Sequence, residues 1–365
     1  MILRKVSKKD YNKVKKLFKR NQLKMNNFNR WNDLWSKNPA LLNKKKWIRG
    51  WVIEEDKVIV GHIGNFPMNY FLNGRNYICS ILNGWVVDKK FRSASMILIK
   101  KYFAQVKIDF FLGTSFGLKT SKIMEALNIK KVPVEDLDSS LIIILKSSSI
   151  MKFFFGNKIF PFKNFIIGFF SIILKLLLKK RFNYWKNKFS TQNIESCNII
   201  DNKFDHLWKK IKLKKKNTLL FQRDKKWLKW HLGSLLREKK AWLFLSKKND
   251  EINGYSICIE KINSKKKIKS ALIIDLITLN DFKETSKNLI GANIQEAKRR
   301  NYDIVEFRGF NKENRSYMKL FKPFKKKLRL NSFYYKSKNK KLDKLLSNDK
   351  YWNPSYIDGD AIINI

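Results

Sequence analysis

The chain has 365 residues, of which 79 Lys and Arg stand against 30 Asp and Glu, a formal charge of +49, with 44% hydrophobic and 14% aromatic content. That apolar share is ample for packed cores, so the chain is globular and long enough for two domains. Its three cysteines, Cys79, Cys197 and Cys258, are odd in number and far apart, which excludes a disulfide framework and a zinc spacing; with three scattered histidines no metal is expected, and the compartment reads as reducing and cytoplasmic. The charge pulls towards phosphates, nucleic acid or anionic lipid. Because the excess is almost all lysine, beside abundant Asn, Ile and Phe, codon bias in an A/T-rich genome explains it equally well.

Met-Ile-Leu-Arg-Lys-Val-Ser at the start lacks the apolar core of a secretion signal. Ser7-Lys-Lys-Asp10 is a capping pattern opening a helix to about Arg20, with Tyr11, Val14, Leu17 and Phe18 on one face. After an Asn- and Trp-rich connection, Trp47–Glu54 and Val58–Phe71 read as strands. Asn73-Gly74 fits a type I′ hairpin turn that delivers a third antiparallel strand, Tyr77–Val87. A short basic loop with Arg92-Ser-Ala-Ser95 follows, then a helix over 95–105, whose start is expected to leave backbone N–H groups unpaired, as an anion cradle does. Ile108–Gly113 reads as a strand, Lys119–Leu127 as a helix, and Val132–Leu145 as the strand that closes the unit.

The order then repeats. Strands are expected at Ala241–Ser246, Ile252–Glu260 and Ile268–Leu276, a helix over Phe282–Arg300, a strand at Ile304–Arg308, a helix at Asn314–Leu320 and a last strand at Leu328–Tyr335. Gly61 matches Gly254, and Met124 matches Met318, at offsets of 193 and 194 residues. Two copies of one unit fit this better than one large domain. The expected fold is α/β (α+β): two tandem mixed antiparallel and parallel sheets flanked by helices. The division is 1–145, a connecting segment over 146–200, and 201–365.

Through Val60-Gly61, the run Val86-Val87-Asp-Lys-Lys-Phe-Arg92 and Thr120-Ser-Lys-Ile-Met-Glu-Ala-Leu-Asn-Ile129, the first half resembles the GNAT acyltransferase superfamily. The second half is similar to bacterial GNAT-type proteins through Gln222-Arg-Asp-Lys-Lys-Trp-Leu-Lys-Trp230, Asn253-Gly-Tyr255, Ile274-Asp-Leu276 and Asp358-Gly-Asp360. The whole therefore resembles double-GNAT proteins, among them Fem-type aminoacyltransferases and protein myristoyltransferases. The resemblance implies acyl-CoA, acetyl-CoA for instance, as co-substrate. Trp85, Val86 and Val87 would bind its pantetheine arm on a splayed strand, and Arg92, Ser93, Ala94, Ser95 and Met96 its pyrophosphate. Ser95 and Ile97 stand at the family's glycine positions, and Met124 at its frequent tyrosine acid.

His62 is a candidate base, since its neutral form is abundant near pH 7, or a structural residue. Asn83 would orient a substrate or simply point inward. Asp358 and Asp360 are candidates for binding an amino sugar, or solvated turn residues. In the second copy the acids Asp275 and Asp281 flank the place pyrophosphate would take, so that half reads as an acceptor-binding or scaffolding copy.

Three functions remain open on the sequence: transfer of an acyl group from acyl-CoA to an amine, on an amino sugar or lipid-linked envelope precursor; a Fem-like transferase using aminoacyl-tRNA; and a non-catalytic scaffold on membrane or nucleic acid. From His206 to Trp230 there are ten Lys and Arg, with Trp208, Phe221, Trp227 and Trp230 interleaved, suited to phosphate contacts and base stacking or else to a helix with its aromatics inward. Between Ser139 and Ile194 there is no Asp or Glu, and a helix from Pro161 to about Arg181 would carry one narrow polar stripe. Such a helix would lie on an anionic membrane as a peripheral anchor or pack between the domains.

Overall fold

Asn73 and Gly74 both adopt positive φ, +50° and +78°, and the hairpin they close is the longest in the molecule's first half. A computed structural model of the chain describes residues 1–42, 46–147, 176–263, 268–279, 282–328 and 330–360. The first half runs β1 (Ile2–Lys5), α1 (Tyr11–Arg20), α2 (Phe28–Ser36), β2 (Gly50–Glu55), β3 (Val58–Leu72), β4 (Arg75–Val87), α3 (Ser95–Phe103), β5 (Phe110–Gly117), α4 (Leu118–Ala126), β6 (Lys130–Lys131) and β7 (Ser139–Ile144). Then come β8 (Ile194–Cys197), α5 (Lys203–Lys214), β9 (Leu220–Phe221), α6 (Lys225–Arg237), β10 (Ala241–Lys248), β11 (Glu251–Asn263), β12 (Ile268–Thr278), α7 (Phe282–Arg299), β13 (Ile304–Arg308), α8 (Lys312–Lys319), β14 (Phe324–Lys327), β15 (Leu330–Ser337) and α9 (Lys340–Leu346).

The repeat is real: β3 and β4 begin at Val58 and Arg75, and β11 and β12 at Glu251 and Ile268, 193 residues later in each case. Two mixed sheets result. One has the order β1-β2-β3-β4-β5-β15-β6, with β9 added to β3; the other has the order β14-β7-β13-β12-β11-β10-β8. In each, one pair is parallel, β4 with β5 and β12 with β13.

The closing strand departs from expectation. β7 does not close the first sheet; it pairs with β13 and β14 in the second, while β15 crosses back to pair with β5 in the first. Each half thus donates its last strand to the other's sheet. All six residues of β7 are buried, so its apolar run carries no alternation that would tie it to one sheet rather than the other.

One large core holds residues of both sheets, including Phe66, Tyr70 and Ile81 from the first and Tyr255, Ile257 and Ile274 from the second, roofed by α1, α5 and α6. The opposite faces pack separately, with Leu98, Ile99 and Tyr102 of α3 on the first sheet and Leu289, Ile290 and Ile294 of α7 on the second.

Residues 161–175 of the expected interfacial helix, most of its length, lie outside the described residues. Residues 176–186 are helical, with Trp185 buried and Leu176 and Leu177 exposed. No helix among the described residues is long and apolar enough to cross a membrane.

Candidate active site

The parallel ladder of β4 with β5 ends at Ile81 opposite Leu112, although β4 continues to Val87 and β5 to Gly117. Beyond that point the two strands part. Both strands are irregular here: β5 shifts register on β15 past Gly113, and β4 shifts on β3 between His62 and Gly64, leaving Gly84 and Trp85 as a bulge, with Gly84 at φ +61°. A Cβ on Gly84 would lie 2.7 Å from the Phe18 ring, so glycine answers both the backbone and the space.

His62 sits beneath this bulge. Its Nδ1 is 2.7 Å from the Gly84 carbonyl, which can only accept, so the proton is on Nδ1 and the Nε2 lone pair is left buried without a partner. Burial drives its pKa down to about 4, and the ring meets Phe18 edge-on. The imidazole is neutral and pins the bulge. On either side of Gly84 the Asn83 Nδ2 and Trp85 Nε1 groups are buried and lack protein partners. Val86 is buried and Val87 half-buried, and Asn83, Trp85, Val86 and Val87 all lie on the stretch of β4 beyond its β5 ladder.

The turn after β4 differs from the expected cradle. Lys89–Ala94 form two 3₁₀ turns kinked at Phe91 that run directly into α3, and the Ser95 N–H donates to the carbonyls of Arg92 and Ser93. The Ser95 N–H, expected to be free at the start of α3, is thus consumed within the chain, because 3₁₀ residues lead into the helix without a break. Ala94 is buried and Ser95 and Met96 are half-buried, whereas Lys89, Lys90, Arg92 and Ser93 are exposed. Asp88, before the turn, is occupied by Arg20 at 2.6 Å and Asn21 at 2.7 Å.

Asp358 and Asp360 are buried rather than solvated, and the segment that carries them meets each sheet just beyond the end of its parallel ladder. In the second sheet the β12–β13 ladder ends at Ile273 opposite Phe307, and the Ile357 N–H donates to the Ile274 carbonyl just beyond it at 3.2 Å. The second splay is therefore filled by the chain itself. In the first, Thr114 and Ser115 of β5, immediately past the end of the β4 ladder, donate to the two oxygens of Asp360 at 2.8 and 2.7 Å. Burial raises the Asp360 pKa against those hydroxyls. Gly359 is obligatory for this approach, since a Cβ there would lie 2.2 Å from Thr114 Oγ1.

The segment is anchored by a cluster centred on Arg223, which the sequence offered only as part of the Gln222–Trp230 run. Arg223, 2% exposed, donates to Asp275 at 2.9 and 3.2 Å, to Asp358 at 2.7 Å, to Ser355 at 2.9 Å and to the Phe221 carbonyl at 2.8 Å. Tyr255 donates to Asp275, and Tyr70 donates to the Asp358 carbonyl, each at 2.8 Å. One guanidinium serves two carboxylates. Burial, reinforced by the neighbouring Asp275 and only partly offset by Arg223, pushes Asp358 up to about 6. An arginine inside a stretch otherwise rich in lysine, Gln222-Arg-Asp-Lys-Lys226, was the available signal.

The stacking surface is absent from the 206–230 region. Trp208, Phe221 and Trp227 are buried at 2%, 0% and 3% exposure, and the Trp230 Nε1 donates to the Asp33 carbonyl. Their rings are spent on the shared core, and the outward faces of α5 and α6 carry lysines without the aromatics. Met124 is fully buried and lines a small void with Leu82, Gly113, Phe116 and Tyr334, the last brought in by the exchanged strand β15.

No protein-family model matches the sequence, and no curated protein matches it either. Solved structures do match by fold. N-myristoyltransferase of Saccharomyces cerevisiae with bound myristoyl-CoA superposes with a TM-score of 0.55 at 15% identity, covering 92% of this chain and 82% of that one. A probable N-acyltransferase from Enterococcus faecalis gives 0.56 at 11%, covering 92% and 72%. A GCN5-related N-acetyltransferase from Anabaena variabilis gives 0.54 at 12%, covering 93% and 73%. The architecture assembled above, two GNAT-like sheets in tandem, is the fold this chain shares with those N-acyltransferases.

Proposed function

We propose that the chain is an N-acyltransferase that moves an acyl group from acyl-CoA to an amine at the splay of the first sheet. The observation that carries the reading is the buried Asp360 carboxylate held by Thr114 and Ser115 where β4 and β5 part. The unpaired edge of β4 would take the pantetheine arm, with Asn83 and Trp85 offering N–H donors beside the thioester. Lys89, Lys90 and Arg92 would meet the phosphates through side chains, in place of the backbone cradle. The amine attacks the thioester carbonyl, the C–N bond forms, the C–S bond breaks with departure of the thiolate, and the amine's proton passes to Asp360, which burial makes a stronger base than an exposed carboxylate. His62 holds the bulge in this scheme and does not take the proton.

The second splay, filled by 352–360, leaves that copy to scaffolding and acceptor contacts. The bound myristoyl-CoA of the yeast structure supports acyl-CoA as donor and extends the choice beyond acetyl. A soluble amine, an amino sugar or a lipid-linked precursor would serve as acceptor, with the membrane-facing reading of residues 146–188 favouring the last. Burial of the aromatics removes the base-stacking argument for tRNA. Release of free CoA thiol from acetyl-, octanoyl- and myristoyl-CoA, assayed over a panel of amines, tests the proposal. Turnover that falls at least a hundredfold in Asp360→Asn supports it. Absence of turnover with every pair, or full activity in Asp360→Asn, overturns it.

A further inference from the structure

A second site lies on the second sheet, on the face turned away from α7. Strand register sets it out: Lys261 of β11 stands opposite Ser270 of β12, Ser270 beside Ile304 of β13, Glu306 opposite Ile142 of β7, and Arg308 opposite Ser140, itself opposite Lys326 of β14. Residues directly opposite in a ladder share a face. Lys261, Ser270, Ile304, Glu306, Arg308 and Lys326 accordingly line one cavity of about 150 Å3, with Ile142 and Ile268 completing its apolar floor.

The Arg308 guanidinium in it is incompletely matched within the protein. Arg308 is 6% exposed, yet its Nε–H has no hydrogen-bond partner, and the Glu306 carboxylate stands 3.9 Å from it. The other arm of the guanidinium is used, donating to the Tyr356 hydroxyl at 3.0 Å. The Ser140 hydroxyl is also buried without a partner. Burial lowers the Lys261 pKa, so that ammonium is held partly out of water, with Glu306 as the acid that attracts it. Three cations face a single carboxylate. A buried guanidinium N–H left open beside a desolvated ammonium is the arrangement that an anionic oxygen completes, and the planar fork of arginine suits phosphate or carboxylate.

We propose that this cavity binds a small phosphomonoester, its phosphate between Arg308, Lys261 and Lys326 and its short carbon portion on Ile142, Ile268 and Ile304. The two-charge excess of cations favours a dianion over a monocarboxylate, and the isoleucine floor favours an ester over inorganic phosphate. The same guanidinium holds Tyr356, two residues before Asp358, so the site adjoins the segment that delivers Asp360.

Titration calorimetry of the full chain in 150 mM salt, with glycerol 3-phosphate, inorganic phosphate and glycerol as probes, tests this. Glycerol 3-phosphate should bind with one-to-one stoichiometry, inorganic phosphate at least fivefold more weakly, and glycerol not at all. Lys261→Ala and Arg308→Gln should each weaken the ester at least tenfold, while Lys16→Ala with Lys19→Ala, which removes two exposed charges of α1, should leave it unchanged. Lys261 is half-buried at the rim, so its variant keeps the test valid if Arg308→Gln fails to fold. Displacement of the soluble ester by phosphatidate vesicles would assign the ligand to a lipid headgroup, and no displacement to a soluble ester; both outcomes support the site. No binding, or equal binding by all variants, would overturn it.

Discussion

Replacing Arg223 by Met should destabilise the protein in a way that only removal of its partners repairs. The guanidinium is buried with two buried carboxylates, Asp275 and Asp358, so the variant leaves two acids without a cation. Breaking a buried pair by removing one member costs about 3–5 kcal/mol. At roughly 2 °C per kcal/mol for a chain of this size, Tm should fall by about 6–10 °C at pH 7.5. Adding Asp275→Asn and Asp358→Asn should restore more than half of the loss, because neutral amides need no counter-charge. The parent protein also carries a pH signature. Asp358 has its pKa raised from 3.8 to about 6, so the folded state keeps a proton that the unfolded chain releases. Its contribution therefore improves as pH falls from above 6 towards 4, by about 3 kcal/mol, and Asp358→Asn should abolish that slope. Thermal melts at pH 4.5, 6 and 7.5 measure all of this. A loss below 1 kcal/mol in Arg223→Met, or an equal loss in the triple variant, would refute the reasoning.

Other predictions follow from the splay. Gly84→Ala, forced to φ +61° with its Cβ against Phe18, should cost roughly 1–3 kcal/mol and lower turnover far more than its Tm shift implies. His62→Gln should keep turnover within about threefold, since the amide can still donate to the Gly84 carbonyl. It should also remove a loss of stability in acid: with a folded pKa of about 4 against 6.5, His62 contributes stability present above pH 6.5 and lost as pH falls towards 4, about 3 kcal/mol in all, readable in urea midpoints. The uncharged run Asn164–Leu174, flanked by Lys163 and Lys175, should carry the protein onto anionic vesicles in flotation, with loss on changing Phe169, Ile172, Ile173 and Leu176 to Ser; an intact protein that stays at the bottom at low salt rules this out.

Local chemistry was the legible part of the sequence. Asn73-Gly74, Ser7 with Asp10, and the apolar period of Val14, Leu17 and Phe18 each act within a few residues, and all three produced the expected elements. The 193-residue repeat was legible because both copies retain the hairpin order. The strand exchange was not: the Leu141–Ile144 run is buried on both faces and is compatible with either sheet, so a long-range choice decided it. The turn Arg92–Ser95 was misjudged since the same small residues permit either an open cradle or a 3₁₀ turn. Asp358 and Asp360 were located as candidates, but their burial depends on Arg223, Thr114 and Ser115, which lie 135 and about 245 residues away in sequence.

Hydrogen exchange of the backbone on adding a saturating acyl-CoA addresses the central claim most directly. Among the described residues nothing pairs with the β5-facing edge of β4 beyond Ile81, whereas Ile357 pairs with Ile274 in the second sheet, so amides of Leu82–Val87 should gain protection while those of Ile274–Thr278 stay unchanged. Protection at the second sheet without the first, or none at either under conditions where the ligand is bound, would contradict the account.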